Sequence, residues 1–217
     1  SGIIYPGDRD PSSFLLAIKN LLESNRIEIN DIKVRFRAPQ HEAELLNLVK
    51  QLKMEDVVEI APSIAYSAAI AEMQSADLLL VFQGTNFNTQ VPAKIYEYIR
   101  AGRSILALVD QEGDTAKKLK EFHGIHIADI NSHKTIEYEI ISWLENIDSP
   151  TELNDFKNNS LKISNFSREK QTELLEYNGI CGITAEKLQS AKNQQNRLRT
   201  KEILRLFSGD RTDHLQS

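Results

Sequence analysis

The chain has 217 residues, of which 41% are hydrophobic, and this length is enough for one domain with a proper core plus an appendage. Its formal net charge of −5 argues against a dedicated nucleic-acid-binding protein, because such proteins are usually basic. The single cysteine, Cys181, excludes an intrachain disulfide and favours a reducing, cytoplasmic location, and no apolar run approaches the roughly 20 residues of a membrane span.

Short apolar runs alternate with amphipathic helical patterns through the first two thirds of the chain. Residues 2–5 predict a first strand, and a turn-rich loop that contains Gly7 leads to a helix. Asp10 can cap this helix, with Pro11 at its first position. A second strand is predicted at residues 32–37, where basic and apolar residues alternate, and its basic side is interpreted as a solvated face.

The same alternation continues to about residue 148. A helix at 42–53 precedes a third strand at 57–60, and an alanine-rich helix at 64–75 has side chains small enough for close packing on a sheet. The remaining elements are a fourth strand at 78–82, a helix within 90–102, a fifth strand at 104–109, a helix at 115–123, a sixth strand at 123–128 and a helix at 135–147. This order predicts an α/β fold, a doubly wound, Rossmann-like parallel sheet of about six strands with helices on both faces.

The chain is expected to divide into two parts. Residues 1–150 form the Rossmann-like domain, and residues 151–217 form a carboxyl-terminal helical extension that ends in a polar tail. From residue 184 onward, basic residues outnumber acidic ones and apolar positions are sparse. Two interpretations of the tail stay open: a solvated or partly disordered segment, or a segment that contacts a partner subunit, a missing domain or an anionic membrane surface.

The loop and helix between the fourth and fifth strands hold the strongest candidate for a binding site. The loop follows the carboxyl end of its strand, where open α/β sheets bind ligands. Pro92 suits the first turn of a helix, and Gly102 suits a left-handed cap at its end. Gln90, Lys94 and Glu97 are spaced four and three residues apart, which predicts one shared helix face. Free N–H groups with a lysine and a glutamate one turn in could hold a phosphate and a sugar hydroxyl together.

This region also resembles a known family. Residues 92–99 (PAKIYEYI), followed by residues 101–107 (AGRSILA), resemble the donor-binding half of family-4-like, GT-B-type glycosyltransferases. The resemblance covers residues 2–148 and extends to 166–175, and it is strongest at 76–108. It implies that Glu97 binds the ribose hydroxyls of a nucleotide-sugar.

The resemblance implies further contacts with the donor. The family often places a second glutamate eight positions before the first, to contact the transferred sugar, and Thr89 stands at that position here. Arg9 would meet the diphosphate, with the Gly7 loop beside it, and the backbone near Pro62 would face the base. From their positions alone, Lys94 is predicted to contact the diphosphate or the sugar, and Asn86 and Gln90, polar and at the mouth of the loop, to contact the sugar. The full set of predicted substrate-binding residues is Gly7, Arg9, Pro62, Asn86, Thr89, Gln90, Lys94 and Glu97. Each has a plain structural alternative: Glu97, for example, could form a surface ion pair with Lys94 or Arg100.

No metal or other cofactor is expected, because basic groups and a helix start neutralise the diphosphate in this family. The five histidines form no HExxH pattern, and no GxSxG motif occurs. The substrate would be a UDP- or GDP-linked sugar, and no residue is identified for base catalysis.

The length of the chain bounds the functional prediction. GT-B-type enzymes have two Rossmann-like halves, and 217 residues are too few for both. We therefore expect the carboxyl-terminal, donor-binding half of a glycosyltransferase, inactive without an amino-terminal acceptor domain. Two alternatives stay open: a non-catalytic nucleotide-binding or assembly module, and one half of a GT-B-fold nucleotide-sugar epimerase.

Overall fold

A computed structural model describes residues 8–147 together with Asn159, Lys162 and Ile163. Within these residues the helices are α1 (Ser12–Glu23), α2 (Glu42–Leu52), α3 (Tyr66–Ser75), α4 (Lys94–Ala101), α5 (Asp114–Leu119) and α6 (His133–Asn146). The strands are β1 (Val34–Arg37), β2 (Val58–Ala61), β3 (Leu78–Phe82), β4 (Ser104–Leu108) and β5 (Ile125–Ala128). The strand predicted at 2–5, Gly7, and the extension predicted at 151–217, apart from Asn159, Lys162 and Ile163, lie outside the described residues.

All strand pairs in the described part of the chain are parallel. β1 pairs with β2, and β4 lies between β3 and β5. Because every pair is parallel, the carboxyl ends of β3, β4 and β5 lie at one edge of their sheet. The predicted second to sixth strands are therefore confirmed, as are the α/β class and the parallel pairing. The described strands form two sheets rather than one.

Two hydrophobic cores lie on opposite faces of the β3–β4–β5 sheet. Leu106 and Leu108 of β4 pack with residues of α1, α2 and α6. Ile105 and Ala107 of the same strand pack with residues of α4 and α5. Successive side chains of a strand point to opposite faces, so one strand contributes to both cores. All five residues of β4 are buried, as expected for a central parallel strand, and helices cover both faces as predicted.

Helix α3 differs from its prediction. None of its residues is buried, although its alanines were expected to pack closely on a sheet. Instead, Glu72 pairs with Arg37 at 2.6 Å and with Arg35 at 3.4 Å. The basic side of β1 is thus an ion-pair network that joins β1 to α3. Alanine side chains bury little area, so contacts of Glu72 supply part of what holds this helix in place.

One helix end differs from the sequence prediction and one agrees with it. Asp10 Oδ1 accepts a hydrogen bond from Ser12 N at 2.9 Å, but the N-cap residue of α1 is Pro11, one residue later than predicted. Gly102 ends α4 in the left-handed conformation, with φ of 65°, where a side chain would be strained.

A short segment after α6 is attached to the second core. Asn159 Nδ2 donates to the His123 carbonyl at 2.8 Å, and His123 N donates to Asn159 Oδ1 at 2.9 Å. Ile163 is buried among residues of the α4–α5 core. Asn159 and Ile163 are therefore attached to the α4–α5 side of the domain, and the domain boundary at residue 150 stays a prediction. No helix in the described ranges has the length and apolar character needed to cross a membrane.

Candidate donor-binding site

The segment before α1 and the loop after β3 meet at the carboxyl edge of the sheet. A Cβ atom on Gly84 would collide with the backbone of Asp8, so the close approach requires glycine here. Asn86 Nδ2 donates to Asp8 Oδ1 at 2.6 Å, which joins the two segments through side chains. The fold thereby brings Asn86 and the Asp8–Arg9 segment together, although they are far apart in sequence.

Helix α4 starts later than the sequence pattern predicted. Its first residue is Lys94, and Ala93 precedes it without a side-chain cap. Pro92 lies in the turn before the helix, where its carbonyl accepts from Ile95 N at 3.1 Å. Gln90 lies outside the helix, so the prediction that Gln90, Lys94 and Glu97 share one helical face is wrong for Gln90. The helix starts late because hydrogen bonds from the side chains of Gln83 and Thr115 hold the Gln90 carbonyl in the preceding loop.

The ammonium group of Lys94 lies in a partly apolar environment. It is half-buried over the ring of Tyr98, with Nζ 5.7 Å from the ring centroid. Burial lowers the pKa of Lys94, the Glu97 carboxylate opposes this, and the positive charge of Arg9 adds to it. Burial, and next the Glu97 carboxylate, raise the pKa of Tyr98 to about 12, so its hydroxyl stays neutral. The positive charges of Arg9 and Lys94 thus act on each other, which places both residues in one basic region beside α4.

Arg9, Arg37, Pro92 and Lys94 lie near the carboxyl ends of β1 and β3 and border one region there. The apolar residues that border the same region belong to the cores, since Ile18 is 1% exposed and Ile95 is 0% exposed. The feature that favours an anionic ligand here is therefore the pair of basic residues Arg9 and Lys94.

The other predicted site residues lie around this region with less defined roles. Glu97 is exposed on α4 and is not among the described residues that border the region of Arg9 and Lys94. Thr89 and the Gln90 side chain are exposed in the loop before α4. Pro62 is exposed after β2, and its carbonyl already accepts from Arg37 Nη1 at 2.8 Å. Gly7 lies outside the described residues.

The sequence did not single out the residues that hold the loop before α4. Gln83 and Thr115 are almost fully buried polar residues, 3% and 1% exposed, and both bind the Gln90 carbonyl. Asn88 Nδ2 donates to Asp110, whose pKa is lowered first by the Glu112 N–H and next by this amide. A polar residue directly after an apolar strand, as Gln83 is, was a signal that could have identified one of them.

No group of three or more His, Cys, Asp or Glu side chains in the described part of the chain is arranged to hold a metal ion. Asp110 and Asp114 instead serve the loop and the first turn of α5, where acidic side chains favour the helix dipole.

The chain resembles known proteins in structure, but no match was found from its sequence. No family model matches the chain, and no curated protein sequence matches it. A crystal structure of WaaG, a glycosyltransferase involved in lipopolysaccharide biosynthesis, matches with a TM-score of 0.56 and 16% identity over 73% of this chain. An α,α-trehalose-phosphate synthase (UDP-forming) from Burkholderia xenovorans, solved with glucose-6-phosphate, matches with a TM-score of 0.50 and 15% identity over 74% of this chain.

In both comparisons the chain covers 40% of the other protein's length. Identities of this size establish the fold and not the activity. The chain therefore has the Rossmann-like fold of one part of GT-B-type glycosyltransferases, as the sequence resemblance implied.

Proposed function

We propose that this chain binds the diphosphate of a nucleotide-sugar at the start of α4 and acts as the donor-binding half of a glycosyltransferase. The observation that carries the proposal is that Arg9 and the half-buried Lys94, two basic residues far apart in sequence, lie together at the carboxyl edge of the sheet, where open α/β sheets bind ligands. Two positive charges at one place attract a multiply charged anion such as a diphosphate. The start of α4 has no side-chain cap, and the positive end of its helix dipole also favours an anion.

Within this proposal the residues have distinct roles. Lys94 and Arg9 bind the phosphate oxygens, and Glu97, one turn further along α4, binds the ribose hydroxyls. Asn86 and Gln90 lie in the loop that would face the sugar. When the bond between sugar and diphosphate breaks, its electron pair stays on the phosphate oxygen, and the positive groups stabilise the departing diphosphate.

The complete reaction needs more than these residues. The chain spans 40% of the length of the two glycosyltransferases to which it was compared. We therefore propose that a further, acceptor-binding domain completes the cleft, that this chain alone transfers nothing, and that the protein acts in the cytoplasm.

Titration calorimetry of the chain with UDP, GDP, ADP and inorganic pyrophosphate tests the proposal. We expect at least one nucleoside diphosphate to bind. Lys94→Met should weaken both this nucleotide and pyrophosphate about tenfold, since charge-assisted hydrogen bonds contribute about 1.5–3 kcal/mol. Glu97→Gln should weaken the nucleotide but leave pyrophosphate unchanged, because only the nucleotide has ribose hydroxyls.

Two exposed residues of α2 supply matched controls. Lys50→Met and Glu44→Gln make the same chemical changes away from the site and should leave binding unchanged. A folded chain that binds none of the four ligands would overturn the proposal. If Glu97→Gln weakened pyrophosphate as much as the nucleotide, the carboxylate would act on the phosphate region and its ribose role would be wrong.

One observation favours a second function, a nucleotide-binding module without transfer. Thr89 is exposed at the position where the resemblance implies a glutamate for the transferred sugar. A module of this kind would bind UDP and a UDP-sugar equally well, whereas a donor site would gain affinity from the sugar. Comparing UDP with UDP-glucose, UDP-galactose and UDP-N-acetylglucosamine in the same titration separates the two functions.

A further inference from the structure

The loop between β3 and α4, residues 83–93, is held by two buried side chains from different elements. Gln83 directly follows β3, and its backbone N–H continues the pairing with β4 by donating to the Leu108 carbonyl at 3.0 Å. Its side chain, 3% exposed, turns under the loop. Nε2 donates to the Phe87 carbonyl at 2.6 Å and to the Gln90 carbonyl at 2.8 Å. One amide therefore satisfies two carbonyls of the loop.

The second side chain comes from the other side of the loop. Thr115 lies in the first turn of α5, is 1% exposed, and its Oγ1 donates to the same Gln90 carbonyl at 2.9 Å. The loop before α4 is also joined to the start of α5, because Asp114 N donates to the Asn88 carbonyl at 2.8 Å. The Gln90 carbonyl is thus fixed from β3 and from α5 at once, only four residues before Lys94.

Keeping Gln83 has a cost in stability. Its Oε1 is buried and has no hydrogen-bond partner among the described residues. An unsatisfied buried acceptor destabilises a fold, and an apolar residue after an apolar strand would avoid this. In return, Gln83 fixes the path of the loop. Without its Nε2, the Phe87 carbonyl would lose this donor, and the Gln90 carbonyl would keep only the donor from Thr115.

We infer that Gln83 and Thr115, which we call the loop clamp, are positioning residues that hold the start of α4 in the geometry needed to bind a nucleoside diphosphate. The inference rests on the proposed function and deepens it, because the clamp touches no ligand itself. A loop fixed before binding loses less conformational entropy when the ligand arrives, so the clamp should strengthen binding. Small displacements of Lys94 and of the N–H groups beside it would weaken their contacts to phosphate.

The test uses variants of each clamp residue with a matched control. Thr115→Val removes the hydroxyl and keeps the shape, Thr115→Ser keeps the hydroxyl, and Gln83→Met removes both donors. Val49→Ala is the control, since Val49 is buried in the α1–α2–α6 core and its loss destabilises the fold away from the loop. Calorimetry with UDP, GDP and ADP measures binding, and amide hydrogen exchange at Gln90 and Ile95 measures the order of the loop.

We expect Thr115→Val to weaken nucleotide binding roughly fivefold and Gln83→Met roughly tenfold, the losses typical of one and two hydrogen bonds. Thr115→Ser should bind within about twofold of the wild type, since it retains the donor. Exchange at Gln90 and Ile95 should accelerate in Thr115→Val and Gln83→Met. In Val49→Ala, binding should be unchanged despite a lower melting temperature, which separates positioning from stability.

The two possible failures are distinguishable. If the wild-type chain binds none of the three nucleotides, the proposed function is overturned, and the role of the clamp in binding falls with it. If the wild type binds but Thr115→Val and Gln83→Met bind equally well, the clamp alone is overturned. Equal weakening in Val49→Ala would also overturn it, because general loss of stability would then explain the effect.

Discussion

The ammonium group of Lys94, which the proposed function assigns to the diphosphate, opposes the stability of its own fold. Burial lowers its pKa from the ordinary value of 10.5, and Arg9 acts in the same direction against Glu97. Because the pKa of Lys94 is lower in the folded chain than in the unfolded chain, folding favours the neutral amine. The stability that Lys94 contributes is therefore fully present above pH 10.5 and is lost as the pH falls through the lowered pKa. At neutral pH, burial of the charged Lys94 therefore lowers the stability of the folded chain.

Replacing this lysine by an apolar residue should stabilise the chain. We expect Lys94→Met to raise the melting temperature without ligand by roughly 2 °C, since about 1 kcal/mol corresponds to 2–4 °C in proteins of this size. Differential scanning calorimetry at pH 7 measures this, with Lys50→Met as the control for removing an exposed lysine. A lower melting temperature for Lys94→Met would show that the contact with Tyr98 outweighs the cost of burial.

At the scale of elements, the sequence predicted most of the fold because periodicity and turn residues are local. The apolar run Leu78–Phe82, the fully buried β4 and the left-handed cap at Gly102 were all visible in short windows of sequence. The start of α4 and the environment of α3 were not, because each depends on a distant partner. Thr115 holds a carbonyl 25 residues away, and Arg37 reaches Glu72 across 35 residues. Such pairings are set by topology, which local propensity does not contain.

The ion pairs of α3 give a prediction about acid stability. Burial acts to raise the pKa of Glu72, but the bonds from Arg37 and Arg35 outweigh it and hold the pKa below 4.5. A lowered carboxyl pKa contributes stability above the unfolded value that is lost as the pH falls through the folded one. Glu72→Gln should therefore destabilise the chain by about 1 kcal/mol at pH 7, the upper range for partly exposed pairs.

The difference between wild type and Glu72→Gln should shrink as the pH falls below 4.5. Melting temperatures from pH 7 to pH 3 measure it. Glu23→Gln, which breaks the more exposed pair with Lys19 on α1, is the control and should change little at any pH. A difference that stayed constant down to pH 3 would show that the helix is held by packing and that the charge of Glu72 adds nothing.

At the scale of the whole molecule, the central question is whether the two cores act as one unit. β4 contributes to both, since Ile105 belongs to the α4–α5 core and Leu106 to the α1–α2–α6 core. The proposed site depends on α4 and α5, while Arg9 comes just before α1. Binding by residues from both sides of the sheet requires that the two layers of helices keep fixed positions relative to each other. β4 is the strand that links these layers.

Two neighbouring substitutions in β4 test this link. Ile105 and Leu106 are both fully buried, so Ile105→Ala and Leu106→Ala should each cost about 2–5 kcal/mol. Trp143, the single tryptophan of the chain, lies on α6 and reports on the side opposite Ile105. In urea unfolding, we expect Ile105→Ala to shift the transition seen by Trp143 fluorescence as much as the one seen by far-ultraviolet circular dichroism, because cooperative unfolding couples the layers.

Leu46→Ala, at an exposed leucine of α2, is the control and should shift both transitions by less than about 1 kcal/mol. If Ile105→Ala shifted the circular dichroism transition and left the fluorescence transition in place, the two faces would unfold separately. β4 would then not be the element that keeps Arg9 and Lys94 in fixed relative positions. In that case the geometry of the diphosphate site would have to come from the direct contacts of Asp8 with Gly84 and Asn86, and Asn86→Ala would weaken nucleotide binding more than any change in the core.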